Sequence, residues 1–448
     1  MTYSGHSKAI FTLGLPIIGS HVAQIAITTT DTVMMGWYGV EELAALVLAG
    51  SIYFVIFLVG AGFSFAVLPM VANASEVGDD VKVRRITRMG LWISALYALL
   101  LIPFMWWSKP LLLALGQEDV TAQFAQDYLR IAGFGLFPAL FVMVIKNYLA
   151  ALERTQFVLW LTVVSALLNV LLNYALVFGN WGAPELGVQG AAIASVTIVT
   201  LSLPVLVVYA KWIMPEHVLF QRIWAVDIDA LKQVFRLGWP IGLTNLAETG
   251  LFTASAIMVG WIGTHELAAH GIALQWAGLT FMVHLGLSNA ATVRAGRAIG
   301  RDDMLGLKRG GLMVSAMSLG FALIVVAVFV SWPEALIGVF IDSTDAARDQ
   351  IIAVGVGLLT MAALFQIADG IQVIALGLLR GAQDTRVPMI YAGISYWVVG
   401  ISAGYAFGIV WGYGAVGIWM GLVFGLSVAA VLLNVRFWTR IQRNEFRN

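Results

Sequence analysis

A chain of 448 residues that is 60% hydrophobic and only 11% charged cannot be an ordinary soluble domain, where about a quarter of the residues carry charge. Its net charge of zero says nothing about partners, so the distribution of charge has to. The absence of cysteine excludes disulfides and thiolate metal or redox centres.

A membrane-crossing helix needs about 20 mostly apolar residues. Twelve stretches meet that need in chain order: 11–36, 45–72, 89–107, 128–150, 158–179, 188–212, 235–260, 267–293, 311–331, 351–377, 388–410 and 415–437. The first, second, seventh and eighth are long enough to predict tilt or kinking, and Pro16 and Pro240 fall early in the first and seventh. The first stretch begins without a small-residue cleavage pattern, so it is expected to serve as its own insertion signal. The sequence therefore predicts an all-α polytopic membrane protein with twelve transmembrane helices.

Lys and Arg orient the chain. Placing the N-terminus inside puts Lys8, Lys82–Arg88, Lys146 and Arg154, Lys211–Arg236, Arg294–Arg309, Arg380 and Arg386, and Arg436–Arg447 on the inner side. Only Lys109, Arg130 and Arg348 then lie outside, a split of 22 to 3. An excess of basic residues in inner loops is the rule for membrane proteins, and both termini are expected in the cytoplasm.

The chain also repeats itself. FTLGLPIIGSHVAQIAITTTDTVMMGWYGVEELAA (11–45) aligns without gaps on FRLGWPIGLTNLAETGLFTASAIMVGWIGTHELAA (235–269), an offset of 224 residues with 15 of 35 positions identical. Gly14, Pro16, Gly36 and Trp37 match Gly238, Pro240, Gly260 and Trp261, and the same offset pairs Gly62 with Gly286 and Asp79 with Asp303. Shared apolarity does not match Gly, Pro and Trp at one offset. Six spans separate the copies, so both run in the same direction, a parallel repeat of the kind some transporters use. Two pseudo-symmetric six-helix lobes, 1–212 and 235–448, are expected on either side of a cytoplasmic linker at 213–234.

Polar residues inside these spans carry the functional signal. The first span has His21, Gln24, Thr28 and Asp31 at helical spacing, the fifth Thr162, Ser165, Asn169 and Asn173, and the tenth Gln366, Asp369 and Gln372. Such stripes must face protein or water rather than lipid. Glu248 is the repeat partner of Gln24, and Asp31 that of Ser255, so each copy keeps a polar face but places its acid at a different height. A carboxylate in a span costs about 2.5–3.5 kcal/mol on insertion scales and marks a functional site by default. An unpaired one favours its neutral form, while a bound cation favours the anion, the property of a coupling site. Within the spans themselves no basic residue stands out as a permanent partner for Asp31, Glu248 or Asp369. Plainer roles suit other residues. Asn169 and Asn173 also fit interhelical hydrogen bonding; His21, His270 and His284 fit helix packing; Lys146 fits snorkelling to the cytoplasmic interface; Arg84, Arg85, Arg294 and Arg297 fit topology and lipid headgroups.

No phosphate-binding loop, zinc-protease pair or nucleophile elbow is present, so an enzyme is not expected. Trp and Phe are spread over many spans, as in interface belts, rather than gathered as a base-stacking platform, and no nucleic acid is expected as a partner.

The stretches LGLPIIGS, TTDTVMMGWYG, LGWPIGLTNLAETGLF, VRAGRAIGRDD and FQIADGIQVIALGLLRGAQDTRVP together resemble the multidrug and toxic compound extrusion (MATE) family, NorM-type branch, over residues 9–437. The resemblance implies secondary active efflux: amphipathic, usually cationic drugs leave in exchange for Na⁺ or H⁺, by alternating access of two lobes in a bacterial inner membrane. It assigns Glu248 and Asp369 to a cation or proton site, with Na⁺ as a candidate ion, and Asp31 to a second site lined by Asn169 and Asn173. Gln24 and Gln366 are expected to line the polar cavity. Phe365 stands where NorM-type sequences often carry a tyrosine, removing one hydroxyl from the ion site; Gln366 or a backbone carbonyl is the expected substitute, since hard cations accept amide oxygens. The resemblance implies no organic cofactor, lipophilic cations and membrane lipids as partners, and a functional monomer. A lipid-linked precursor flippase of the broader superfamily is the alternative, and the acidic intramembrane charge argues against it.

Overall fold

The computed structural model describes residues 2–343 and 346–446. Arg447, counted above with the inner charges, lies outside the described residues, as do the lobe ends Met1 and Asn448. Twelve long helices stand where twelve spans are expected: α1 Tyr3–Tyr38, α2 Val40–Glu76, α3 Asp80–Trp106, α4 Asp119–Ala151, α5 Gln156–Phe178, α6 Gly187–Ile213, α7 Ile228–Gly260, α8 Thr264–Gly300, α9 Met304–Ser331, α10 Arg348–Gly381, α11 Arg386–Val410 and α12 Gly414–Gln442. Among the described residues, eleven are long and apolar enough to cross a membrane. The exception is α7, whose 33 residues suffice in length but include Asn245, Glu248 and three spaced threonines, Thr244, Thr249 and Thr253. The helix that falls short on apolarity is thus one that carries a candidate site.

The repeat extends beyond the aligned segment. Helix α2 maps onto α8 end to end at the 224-residue offset, and short helices at Lys109–Ala114 and Pro333–Gly338 obey the same offset. Asp79 and Asp303, paired in the sequence, are both N-caps with φ −91° and ψ 76°. Asp79 accepts from the Lys82 amide at 2.9 Å and Asp303 from the Gly306 amide at 2.7 Å, satisfying a helix-end donor that otherwise has no partner. Beyond the short helices the register slips, because the loop before α10 is longer than the one before α4. The copies stay recognisable: Glu153 and Gln383, just past α4 and α10, both take left-handed backbone conformations, with φ of 61° and 57°.

The chain divides into two compact units, Leu15–Gly242, and Met1–Gly14 together with Leu243–Asn448. The division falls within α1 and α7, two residues from Pro16 and Pro240. Gly14 therefore packs against Leu287 and Ala290, while Gly238 and Gly242 pack against α2 at Gly62 and Val59. In the first unit α4 is the central helix, packed against α2, α3 and α6; in the second α10 is central, packed against α8, α9 and α12. These are equivalent helices of the repeat, and α10 carries Asp369.

Close helix approach relies on small residues, since hydrocarbon offers no hydrophobic drive to bring helices together. Gly400 and Gly404 of α11 face Gly421 and Gly425 of α12. A Cβ on Gly421 would lie 2.2 Å from the Gly404 nitrogen, and one on Gly425 2.7 Å from the Gly400 Cα. Helix α11 also contains two π-helical stretches, Ile394–Gly400 and Ala406–Val410, wider turns that recur at functional sites.

Residues 213–234 pack on the Leu15–Gly242 unit. Arg88 donates to the Arg222 carbonyl at 2.9 Å, Trp92 to the Ile223 carbonyl at 2.9 Å, and Arg85 pairs with Asp227 at 3.5 Å. His217 is 3% exposed, with Nδ1 2.5 Å from the Tyr148 hydroxyl and Nε2 3.5 Å from Asp80.

Two predictions follow from this packing. Gly421→Val drives a side chain into the α11 backbone and should cost about 3 kcal/mol, the upper end for overpacking, read as a lower Tm in detergent. Gly320→Ala, with nothing within 4 Å of the added Cβ, should leave Tm nearly unchanged. Burial pushes the His217 imidazole below its ordinary 6.5, opposed by Asp80 and Glu216. A depressed folded value means the neutral ring's contribution is complete above pH 6.5 and is lost as pH falls through the folded value. Tm of the wild type should therefore drop below that of His217→Asn on acidification, after matching at pH 8.

Candidate functional site

Each unit holds one acidic cluster. In the Leu15–Gly242 unit, Asp31 of α1 is 8% exposed and Asn169 and Asn173 of α5 are fully buried. The Asn173 amide donates to Asp31 Oδ1 at 2.5 Å and to Asn169 Oδ1 at 3.2 Å, and Ser195 of α6 donates to Asp31 Oδ2 at 2.9 Å. Both carboxylate oxygens thus accept from neutral donors. The structure brings together Asp31, Asn169 and Asn173 as expected and adds Ser195, which the sequence left as one small polar residue among many. Gln24 and Thr28 are exposed, and Thr28 bonds back to the Ile25 carbonyl; neither joins the Asp31 set. Lys146 does not snorkel. Its Nζ donates to Thr162 of the α5 polar stripe at 3.2 Å, and His21 feels its charge.

The second unit holds Glu248 on α7 and Asp369 on α10, near enough for their charges to repel. Glu248 is half-buried, while Asp369 is 1% exposed. Asp369 Oδ1, Gln366 Oε1 and Gln372 Oε1 are three buried oxygens at successive turns of α10, each without a hydrogen-bond donor. A buried acceptor left unmet costs about 1–3 kcal/mol, so three on one stripe are a concentrated unmet demand for donors. Tyr396, fully buried in the first π-helical stretch, accepts from Gln372 Nε2 at 2.6 Å, and its phenol lies in the field of both acids. A hydroxyl of the kind absent at Phe365 thus stands on another helix, bonded to Gln372. Phe365 itself packs edge-on against Phe252 and Trp419, with centroids 5.9 and 5.8 Å apart, an apolar wall. Behind it the Trp419 indole donates to His270 at 3.0 Å, and His284 lies 2.8 Å from Ser318, so both histidines have packing partners.

One expectation needs correction. A basic residue does serve Glu248: Arg380 attracts it and donates to Asn245 Oδ1 at 3.0 Å, one helical turn before Glu248. It was passed over because α10 was expected to end at 377, whereas the helix runs to Gly381 and carries Arg380 with it. Among the described residues, no group of three or more His, Asp or Glu stands together as a metal cluster. A monovalent cation here would rely on Glu248 and Asp369 with amide and hydroxyl oxygens from Gln366, Gln372 and Tyr396, a donor set that suits a hard ion.

The MatE family profile matches residues 16–175 and 240–406, one segment in each copy of the repeat. A Rhizobium meliloti (strain 1021) protein described as "Probable multidrug resistance protein NorM" is 44% identical over 440 residues, covering 98% of this chain and 94% of its own. An Agrobacterium fabrum protein of the same description is 43% identical, covering 99% of this chain and 96% of its own. The solved structure described as the outward-facing conformation of a multidrug resistance MATE family transporter superposes with a TM-score of 0.88 at 20% identity, over 98% of this chain and 96% of the other; at that identity it speaks for the fold alone. With the profile spanning both halves and relatives above 40% identity over nearly the whole length, the chain belongs to the MatE family of integral membrane proteins.

Proposed function

We propose that this chain is a secondary active multidrug efflux antiporter, which exports small amphipathic compounds, typically cations, in exchange for Na⁺ or H⁺. The observation that carries the reading is the donor-free array on α10, Gln366, Asp369 and Gln372, next to Glu248. A buried acid without donors is stabilised by a proton or a cation and by little else. Coupling needs an ion that binds two states unequally, and an acid pair whose charge must be compensated supplies that inequality. Aromatic walls at Phe252, Phe365 and Trp419 add the apolar and cation–π surface that lipophilic cations require. Ion and drug thus compete for the same negative charge.

In this reading two lobes, about 1–212 and 235–448, alternate access across the inner membrane of a bacterium, with both termini cytoplasmic. One chain suffices for the cycle. Asp31, with Asn169, Asn173 and Ser195, forms a second polar pocket.

The test is ethidium efflux from cells or everted vesicles, comparing wild type with Glu248→Gln and Asp369→Asn at equal expression, with Na⁺ and pH pulses applied separately. Both variants should lose the pulse response by at least about tenfold, equivalent to about 1.4 kcal/mol of lost differential binding. The pulse that drives the wild type identifies the ion. Variants that match the wild type under both pulses would leave the acids structural and overturn the assignment.

A further inference from the structure

Both units hold a half-buried basic residue on their central helix. Lys146 on α4 reaches Thr162 at 3.2 Å, and Arg380 on α10 reaches Asn245 at 3.0 Å. Glu153 and Gln383, which share a backbone conformation just past these helices, set the local register of the repeat, and in that register the two basic residues lie one turn apart on equivalent helices. Their settings differ. Lys146 neighbours His21 and a stripe of neutral residues, and the acid of its unit is met by Asn173 and Ser195. Arg380 neighbours a carboxylate, that of Glu248, which in turn lies in the field of Asp369. Its guanidinium is tied to Asn245, which shares a face of α7 with Glu248, and its charge acts on Glu248 and Tyr396.

The consequence is a charge count. Ionised Glu248 and Asp369 carry two negative charges, Arg380 restores one positive charge, and Tyr396 is a neutral phenol. Three buried oxygens on α10 still lack donors, so the site remains short of one cation. We propose that Arg380 is a specificity-determining residue: a tethered counter-cation that leaves the acid pair with a single exchangeable positive charge, so that this unit takes one monovalent ion or one singly charged lipophilic cation at a time and discriminates against dications. The inference rests on the antiport reading above and deepens it, because it names the charge class of the substrate.

Ethidium and propidium test it, since they share one aromatic ring system but carry one and two positive charges. Their Kd values are measured by fluorescence on purified protein in nanodiscs at pH 8, where a histidine such as His284 is neutral. The wild type should favour ethidium. Arg380→Gln makes the site one charge more negative by removing a cation, and Asn245→Asp does so by adding an anion while keeping an acceptor for Arg380. Both should shift the propidium-to-ethidium Kd ratio toward propidium by about tenfold or more, as expected for one added charge at close range with an effective dielectric near 20. Arg380→Lys should restore the wild-type preference. The double variant Glu248→Gln with Arg380→Gln returns to the wild-type charge and should return to its ratio, whereas Glu248→Gln alone should weaken both dyes. If Arg380→Gln does not fold, Asn245→Asp decides alone. Ratios within twofold of wild type for the more negative variants, with Glu248→Gln still impaired, would overturn this proposal and leave the antiport site standing. Unchanged ethidium binding in Glu248→Gln would instead remove the acid site itself.

Discussion

A polar group inside hydrocarbon has no water to fall back on, and the organisation of this protein follows from how each such group is met. Asp31 is met within its own unit by two neutral donors, Asn173 and Ser195. Asp369 and its neighbours Gln366 and Gln372 are not: each keeps a buried oxygen without a donor. An array of that kind persists in a native structure when the surrounding packing holds it or a ligand relieves it. Here the packing is evident. Asp369 sits on the central helix of its unit, flanked by α8, α9 and α12, where the chain cannot turn its side chain out to water.

That central position depends on small residues elsewhere. The glycine contacts between α11 and α12 bring two backbones into direct contact and hold Tyr396, on the π-helical part of α11, in reach of Gln372. Residues 3–14 of α1 and 228–242 of α7 group with the other half of the sequence, and Pro16 and Pro240 lie two residues from those boundaries. Each unit therefore includes a segment that the order of the chain assigns to its counterpart.

The fold was legible because its signals are local. Twelve apolar stretches became twelve long helices, and a repeat read from Gly, Pro, Trp and Asp at one offset reappears in the matching caps at Asp79 and Asp303. The site was only half legible. Acids in spans announce themselves through their cost, which is how Asp31, Glu248 and Asp369 were found. Their partners carry no such mark. Ser195 and Tyr396 are ordinary residues in a membrane helix, and their roles arise from helix packing that sequence spacing cannot supply. Arg380 was visible but was placed outside the span, because apolarity ends before α10 does. The segments of α1 and α7 that group with the other half left no compositional trace beyond the nearby prolines.

On the antiport reading proposed above, the divergence between the two copies bears on how coupling would work. Two identical acid sites would compete for the same ion with the same affinity and add little control. In this chain the acids have moved to different heights, Asp31 against Ser255 and Gln24 against Glu248, and their surroundings have moved with them. Neutral donors already stabilise the anion of Asp31, so a cation arriving there must displace hydrogen bonds that are already made. Glu248 and Asp369 repel one another, and Asp369 Oδ1 has no donor to give up, so a cation there gains the whole of the missing compensation. Because an ion can bias a conformational equilibrium only by its difference in affinity between states, the pair with unmet charge is the stronger lever. Asp31, with its charge already met, is suited to hold the polar lining of its own unit in place.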